Sequence, residues 1–254
     1  MSHSLNRRIL ELALPAFAAL VAQPLFVMAD TAIVGQLGTV PLAGLGVGST
    51  LTLALVGVFV FLAYGSTATV ARLVGANREK DAAESGVQAM WLALVLGAAV
   101  GVVSWGFAPQ LAAWLGADGA VHDQAVAYLR WSLPGLPGMF LVLAATGTLR
   151  GRADGRTPMI LAIGAAILNL VGDIALVFGL GMGIAGSGAA TAFAETLMGL
   201  TAAGIVARGA AKMGAEQRPR LAGMRTSLLV GVPLLIRTLA LRAALLLTTW
   251  TAAR

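Results

Sequence analysis

The sequence contains no cysteine, and charge is scarce: only 11% of its 254 residues are Asp, Glu, Lys or Arg. The first absence excludes disulfides, thiol catalysis and Cys-ligated metals. The second excludes an ordinary soluble domain, which carries about 25% charged residues. Aromatic residues are also few, at 6%, and of the two histidines His122 stands without metal-ligand company. No Walker-type phosphate loop occurs, so direct coupling to ATP is not expected. Ser, His and Asp show no arrangement that supports hydrolysis, and the chain reads as a non-enzyme without a cofactor. The net charge of +6 does not indicate nucleic acid, because the basic residues lie in short loops between apolar stretches.

What is present is apolar. Hydrophobic residues make up 58% of the chain, and the mean hydropathy is +0.87. Seven segments are long enough to cross a bilayer: 9–34, 43–71, 86–108, 122–149, 158–180, 186–207 and 226–250. Arg7 and Arg8 before the first segment superficially resemble a secretory signal, but the run is too long and Glu11 interrupts its start. The composition predicts an all-α polytopic membrane protein with the lipid bilayer as the solvent for much of its surface.

The loops alternate in charge. Arg72, Arg78 and Lys80 flank the second loop, Arg150, Arg152 and Arg156 the fourth, and Arg208, Lys212, Arg218, Arg220 and Arg225 the sixth. The first, third and fifth loops carry no Lys or Arg. The exceptions to one-sidedness are Arg130, Arg237, Arg242 and Arg254. The positive-inside rule then predicts a cytoplasmic N-terminus in a plasma (inner) membrane.

Three acids lie where a span should be apolar: Asp30, Asp173 and Glu195. An intramembrane ionisable group is costly and marks function by default. Asp30 follows Pro24 by six residues, and a proline weakens the helix by removing one hydrogen bond. Asp173 is about 15 residues into its span, about 22 Å at helical rise. Asn169 stands one turn earlier on the same face. An amide and a carboxylate so placed can share a proton, a water or a monovalent cation. Glu195 is either a third cation ligand or the partner of a buried arginine, and Arg237 and Arg242 are the unusual basic residues of the seventh span. The stretch from Gly181 to Gly186 fits GxGxxG, but it follows an apolar helix rather than a strand and reads as a tight turn.

At these residues the sequence resembles the multidrug and toxic compound extrusion (MATE) family, DinF-like branch. The resemblance is carried by Pro24 with Met28-Ala29-Asp30-Thr31-Ala32-Ile33-Val34-Gly35, by the Leu149 to Pro158 loop, by Asn169 to Asp173, and by Gly183 to Thr191. It implies an H⁺- or Na⁺-coupled antiporter exporting small amphipathic, often cationic compounds. It also implies two six-helix lobes related by a pseudo-two-fold axis. In that family the residues matching Asp30, Asn169 and Asp173 form the cation site, and helix one bends at the proline matching Pro24. A tyrosine found one turn before the helix-one aspartate in some relatives is Phe26 here.

The implied organisation is an N-terminal six-helix lobe (1–208), a cytoplasmic inter-lobe linker (209–225) and the first helix of a C-terminal lobe (226–254). The rest of that lobe is the partner this length leaves out. A Leu14-Pro15 and Val232-Pro233 match supports a repeat beginning at the seventh helix. Two other readings make different predictions. A lipid-linked oligosaccharide flippase of the same superfamily calls for a cavity lined by several arginines. A non-transporting membrane scaffold or accessory subunit predicts tolerance of Asp30→Asn.

Overall fold

The computed structural model describes residue 21 and residues 27–252. Glu11, Pro15, Pro24 and Phe26 lie outside the described residues, as does the side chain of Arg242. Every regular element among the described residues is helical. We number them α1 (the helical residues 27–35), α2 (Thr39–Val58), α3 (Phe61–Gly75), α4 (Glu79–Gly106) and α5 (Ala108–Trp114). Then follow α6 (Gly119–Ser132), α7 (Leu136–Gly151), α8 (Arg156–Asp173), α9 (Ile184–Lys212) and α10 (Leu221–Ala252). Six stretches of these are long and apolar enough to span a membrane, and they match the second to seventh predicted segments. The chain is a multi-pass membrane protein.

Two predicted spans are broken rather than continuous. The stretch from Thr39 to Gly75 is interrupted at Phe59 and Val60, between α2 and α3. There the Phe59 ring meets Phe140 of α7, with centroids 4.6 Å apart. The stretch from Gly119 to Gly151 narrows to a 3₁₀ turn at Leu133–Gly135. Pro134 lies in that turn and Pro137 opens α7, and neither can donate to the preceding turn.

The helix α7 is the hub, packed against α3, α4 and α9. Around it, α6 packs on α2 and α9, and α8 packs on α9. Phe140, Leu129, Leu133 and Leu136 are fully buried at this centre. Close approach comes from paired small residues. A Cβ on Gly97 would sit 2.7 Å from the Pro137 Cα, so α4 lies directly on the start of α7. Likewise Gly44 and Gly48 let α2 press on α6, where Gly48 faces the Tyr128 ring.

The helix α8 is inverted relative to one in a soluble protein. Ile160, Ile163, Ile167 and Val171 form an exposed apolar stripe at helical spacing, while Ala165, Asn169 and Asp173 are buried. Apolar side chains face lipid and polar ones face the bundle, as a bilayer solvent requires.

The connection between α9 and α10 is strapped to α4 through its main chain. Gln88 Nε2 donates to the Arg218 carbonyl at 2.8 Å, and the Arg220 N–H donates to Gln88 Oε1 at 2.8 Å. Trp91 Nε1 donates to the Gln217 carbonyl at 2.9 Å, and Glu84 Oε1 accepts from the Glu216 N–H at 3.2 Å. Beyond the strap, α10 runs through Pro233 and packs on α3 and α4.

Candidate ion site and cavity

Asp30 on α1, Asn169 and Asp173 on α8, and Thr191 on α9 come together although 161 residues separate the first from the last. Their relative exposures are 5%, 1%, 0% and 4%. The Asn169 amide donates through Nδ2 to Asp30 Oδ1 at 2.9 Å, and its Oδ1 accepts from the Thr191 N–H at 3.3 Å. This orientation follows from the network, since the reverse would set oxygen against oxygen. The Thr191 hydroxyl lies 3.3 Å from the same end of the amide.

The Asp30 and Asp173 carboxyl groups face each other at hydrogen-bonding range, and the Ser187 hydroxyl faces Asp173. Yet neither Asp173 oxygen, nor Ser187 Oγ, has an aligned hydrogen-bond partner among the described residues. Two carboxylates cannot face one another as bare anions inside a bilayer. The pair needs a shared proton or a monovalent cation, and the unpaired oxygens of Asp173 and Ser187 are of the type that would ligate either.

Local chain geometry supports this cluster. Directly after Asp173 the helix widens into a π turn at Ile174–Gly179, where Gly186 of α9 packs on the main chain of Leu176 and Val177. Such π segments are frequent at functional sites. Gly181 and Gly183 then adopt positive φ, 67° and 59°, and turn the chain into α9. The GxGxxG stretch is the tight turn expected.

A cavity of about 170 Å³ adjoins the cluster. It is lined by α1, α2, α6, α7, α8 and α9, and its wall is mostly apolar, with Leu45, Leu53, Met139, Val142 and Met198 among its lining. Asp30 lines it and Asp173 does not. Tyr128 and Thr191 also line it, and the Tyr128 hydroxyl reaches Thr191. Thus a tyrosine hydroxyl enters this network from α6.

The remaining candidates separate. Glu195 is half-buried on α9, lines the cavity and makes no ion pair among the described residues. No three acids gather closely enough to hold one metal ion among the described residues. Arg237 is exposed on α10 and makes no ion pair with Glu195 among the described residues. His122 braces α6 to α5, with Nε2 3.0 Å from the Pro109 carbonyl.

The MatE family model matches residues 15–175, a range that holds the helix-one aspartate, the hub helix and the Asn169–Asp173 pair. The chain belongs to the MatE family. Among its MatE relatives, DNA damage-inducible protein F of Escherichia coli is 33% identical over 76% of this chain and 42% of its own length. A Thermotoga maritima protein named "Probable multidrug resistance protein NorM" is 29% identical over 74% of this chain and 41% of its own length. A solved MOP superfamily transporter from Pyrococcus furiosus superposes with a TM-score of 0.81 at 24% identity, over 94% of this chain and 54% of that one. The chain therefore spans about two-fifths of the length of these relatives and about half of that structure.

Proposed function

We propose that this chain is the ion-binding lobe of an H⁺- or Na⁺-coupled antiporter that exports small amphipathic or cationic compounds. The observation that carries this reading is the buried pair of facing carboxyls, Asp30 and Asp173, beside a mostly apolar cavity. Asn169 holds Asp30 through its amide, and Thr191 and Tyr128 complete the polar wall. The coupling ion, proton or Na⁺, binds between the two carboxyls. Asp30 is the member of the pair that also borders the cavity, so the ion state of the pair changes the charge and shape of the wall that a substrate meets. Pro24 supplies the hinge by which helix one bends as the pair loads.

The chain sits in the plasma membrane with its N-terminus and its basic loops cytoplasmic. The activity is completed by a second lobe that begins with α10. A lipid-linked oligosaccharide flippase would call for an arginine-lined cavity, and the lining here contains no Lys or Arg among the described residues.

The deciding experiment is efflux of a cationic dye from proteoliposomes that hold this lobe joined to its second lobe, under imposed H⁺ or Na⁺ gradients. Gradient-dependent efflux that Asp173→Asn abolishes is the expected result. Efflux that survives Asp173→Asn unchanged removes the carboxyl pair from the coupling step.

A further inference from the structure

We propose that Glu195 selects the charge of the transported compound, and that it does so as a unit separate from the Asp30–Asp173 ion pair. The inference rests on the antiporter reading above and assigns one part of the cavity within it. Ser187, Thr191 and Glu195 are spaced four residues apart along α9 and so share one face. Their surroundings differ. Ser187 faces Asp173, Thr191 meets Asn169, and Glu195 stands one turn further, about 6 Å along the helix axis.

At that level the ion cluster has ended. No three acids converge on one site, no ion pair reaches Glu195, and the cavity wall offers no Lys, Arg or His among the described residues. A carboxylate in an apolar wall attracts a cation far more strongly than it does in water. Its neighbours on that wall include Met139 and Met198, whose flexible thioethers adapt to varied apolar shapes. The complement is a single positive charge on a bulky apolar body. The two aspartates, which meet each other, have a use for a small ion. Glu195, which meets none, has a use for the cargo.

The test is ligand binding by the full chain in lipid nanodiscs, with tetraphenylphosphonium as the cation and triphenylphosphine oxide as a neutral ligand of similar shape. Replacing Glu195→Gln is expected to weaken the cation at least about tenfold and to leave the neutral ligand within about twofold. Glu195→Asp should retain most of the cation affinity, and Glu195→Met provides the same comparison if the amide variant does not fold. The response of the thermal midpoint to Na⁺ and pH should persist in every Glu195 variant. Unchanged cation binding by Glu195→Gln overturns the inference, as does equal loss of both ligands or loss of the ion response. The antiporter reading survives the first of these outcomes. Failure of both ligands to bind the wild-type chain overturns the cavity assignment and the inference together.

Discussion

Asp30 borders the cavity and meets Asp173, which is itself completely buried and shut off from that cavity. The two acids are therefore not equivalent. Asp173 touches the outside of the cluster only through its neighbours, so its state is sensed in the cavity through Asp30.

This relationship predicts a stability effect that needs no transport assay. An ion bound only by the folded chain raises its thermal midpoint as the ion concentration rises. The wild-type chain in detergent should show a midpoint that depends on Na⁺ or on pH. Asp173→Asn, which removes one carboxyl and keeps its shape, should flatten that dependence. A variant that still responds as the wild type does would place the bound ion elsewhere.

The hydroxyls around Asn169 make a milder prediction. Thr191→Val removes the group 3.3 Å from the Asn169 amide and keeps the side-chain volume. The expected loss is about 1 kcal/mol, in the range of an interhelical hydrogen bond in a membrane protein. Tyr128→Phe keeps the ring against Gly48 and should preserve the fold while weakening the ion response. Thermal unfolding and an ion titration on the same samples separate the two effects.

These hydroxyls also mark the boundary of what the sequence reveals. Asp30, Asn169, Asp173 and Glu195 stand out in the sequence because each is polar within an apolar span. Tyr128 does not, because an uncharged aromatic residue is ordinary in an apolar span. Ser187 and Thr191 do not, because Ser and Thr occur throughout membrane helices, where the hydroxyl can bond its own backbone. Thr52 does so to the Gly48 carbonyl at 3.0 Å and Thr148 to the Ala144 carbonyl at 2.9 Å. Alternating loop charge makes the described spans legible. Pro134 and Pro137 foreshadow the break in the fourth span, but nothing at Phe59 and Val60 announces the break in the second, which follows from the contact of Phe59 with Phe140. The π turn after Asp173 is likewise a product of packing between α8 and α9, not of local sequence.

Helix contacts supply a contrast between two glycines of α4. A side chain at Gly97 collides with Pro137, whereas a Cβ at Gly106 meets nothing within 4 Å. Gly97→Val should therefore cost about 1–3 kcal/mol, the usual penalty for overpacking, or prevent folding. Gly106→Ala should be neutral or slightly stabilising. Midpoints from thermal denaturation in one detergent decide it, and equal behaviour of the two variants would contradict the packing of α4 on α7.

The strap can be tested by proteolysis. Gln88→Leu removes a donor and an acceptor at once and releases the main chain of Arg218 and Arg220. Trypsin should then cut after Arg220 several-fold faster, with the helices still protected, while the Arg218–Pro219 bond resists trypsin in either form. Cleavage at the wild-type rate would mean that the other contacts of the strap suffice.

The same strap has a consequence for how related chains can diverge. Gln88, Trp91 and Glu84 hold residues 216–220 by backbone N–H and carbonyl groups, which every residue type except proline supplies in full. Substitutions in the connection thus leave the clasp intact, while a one-residue insertion or deletion shifts every N–H and carbonyl out of register. In relatives built this way, the spacing between the sixth and seventh helices should be kept more strictly than the letters that fill it.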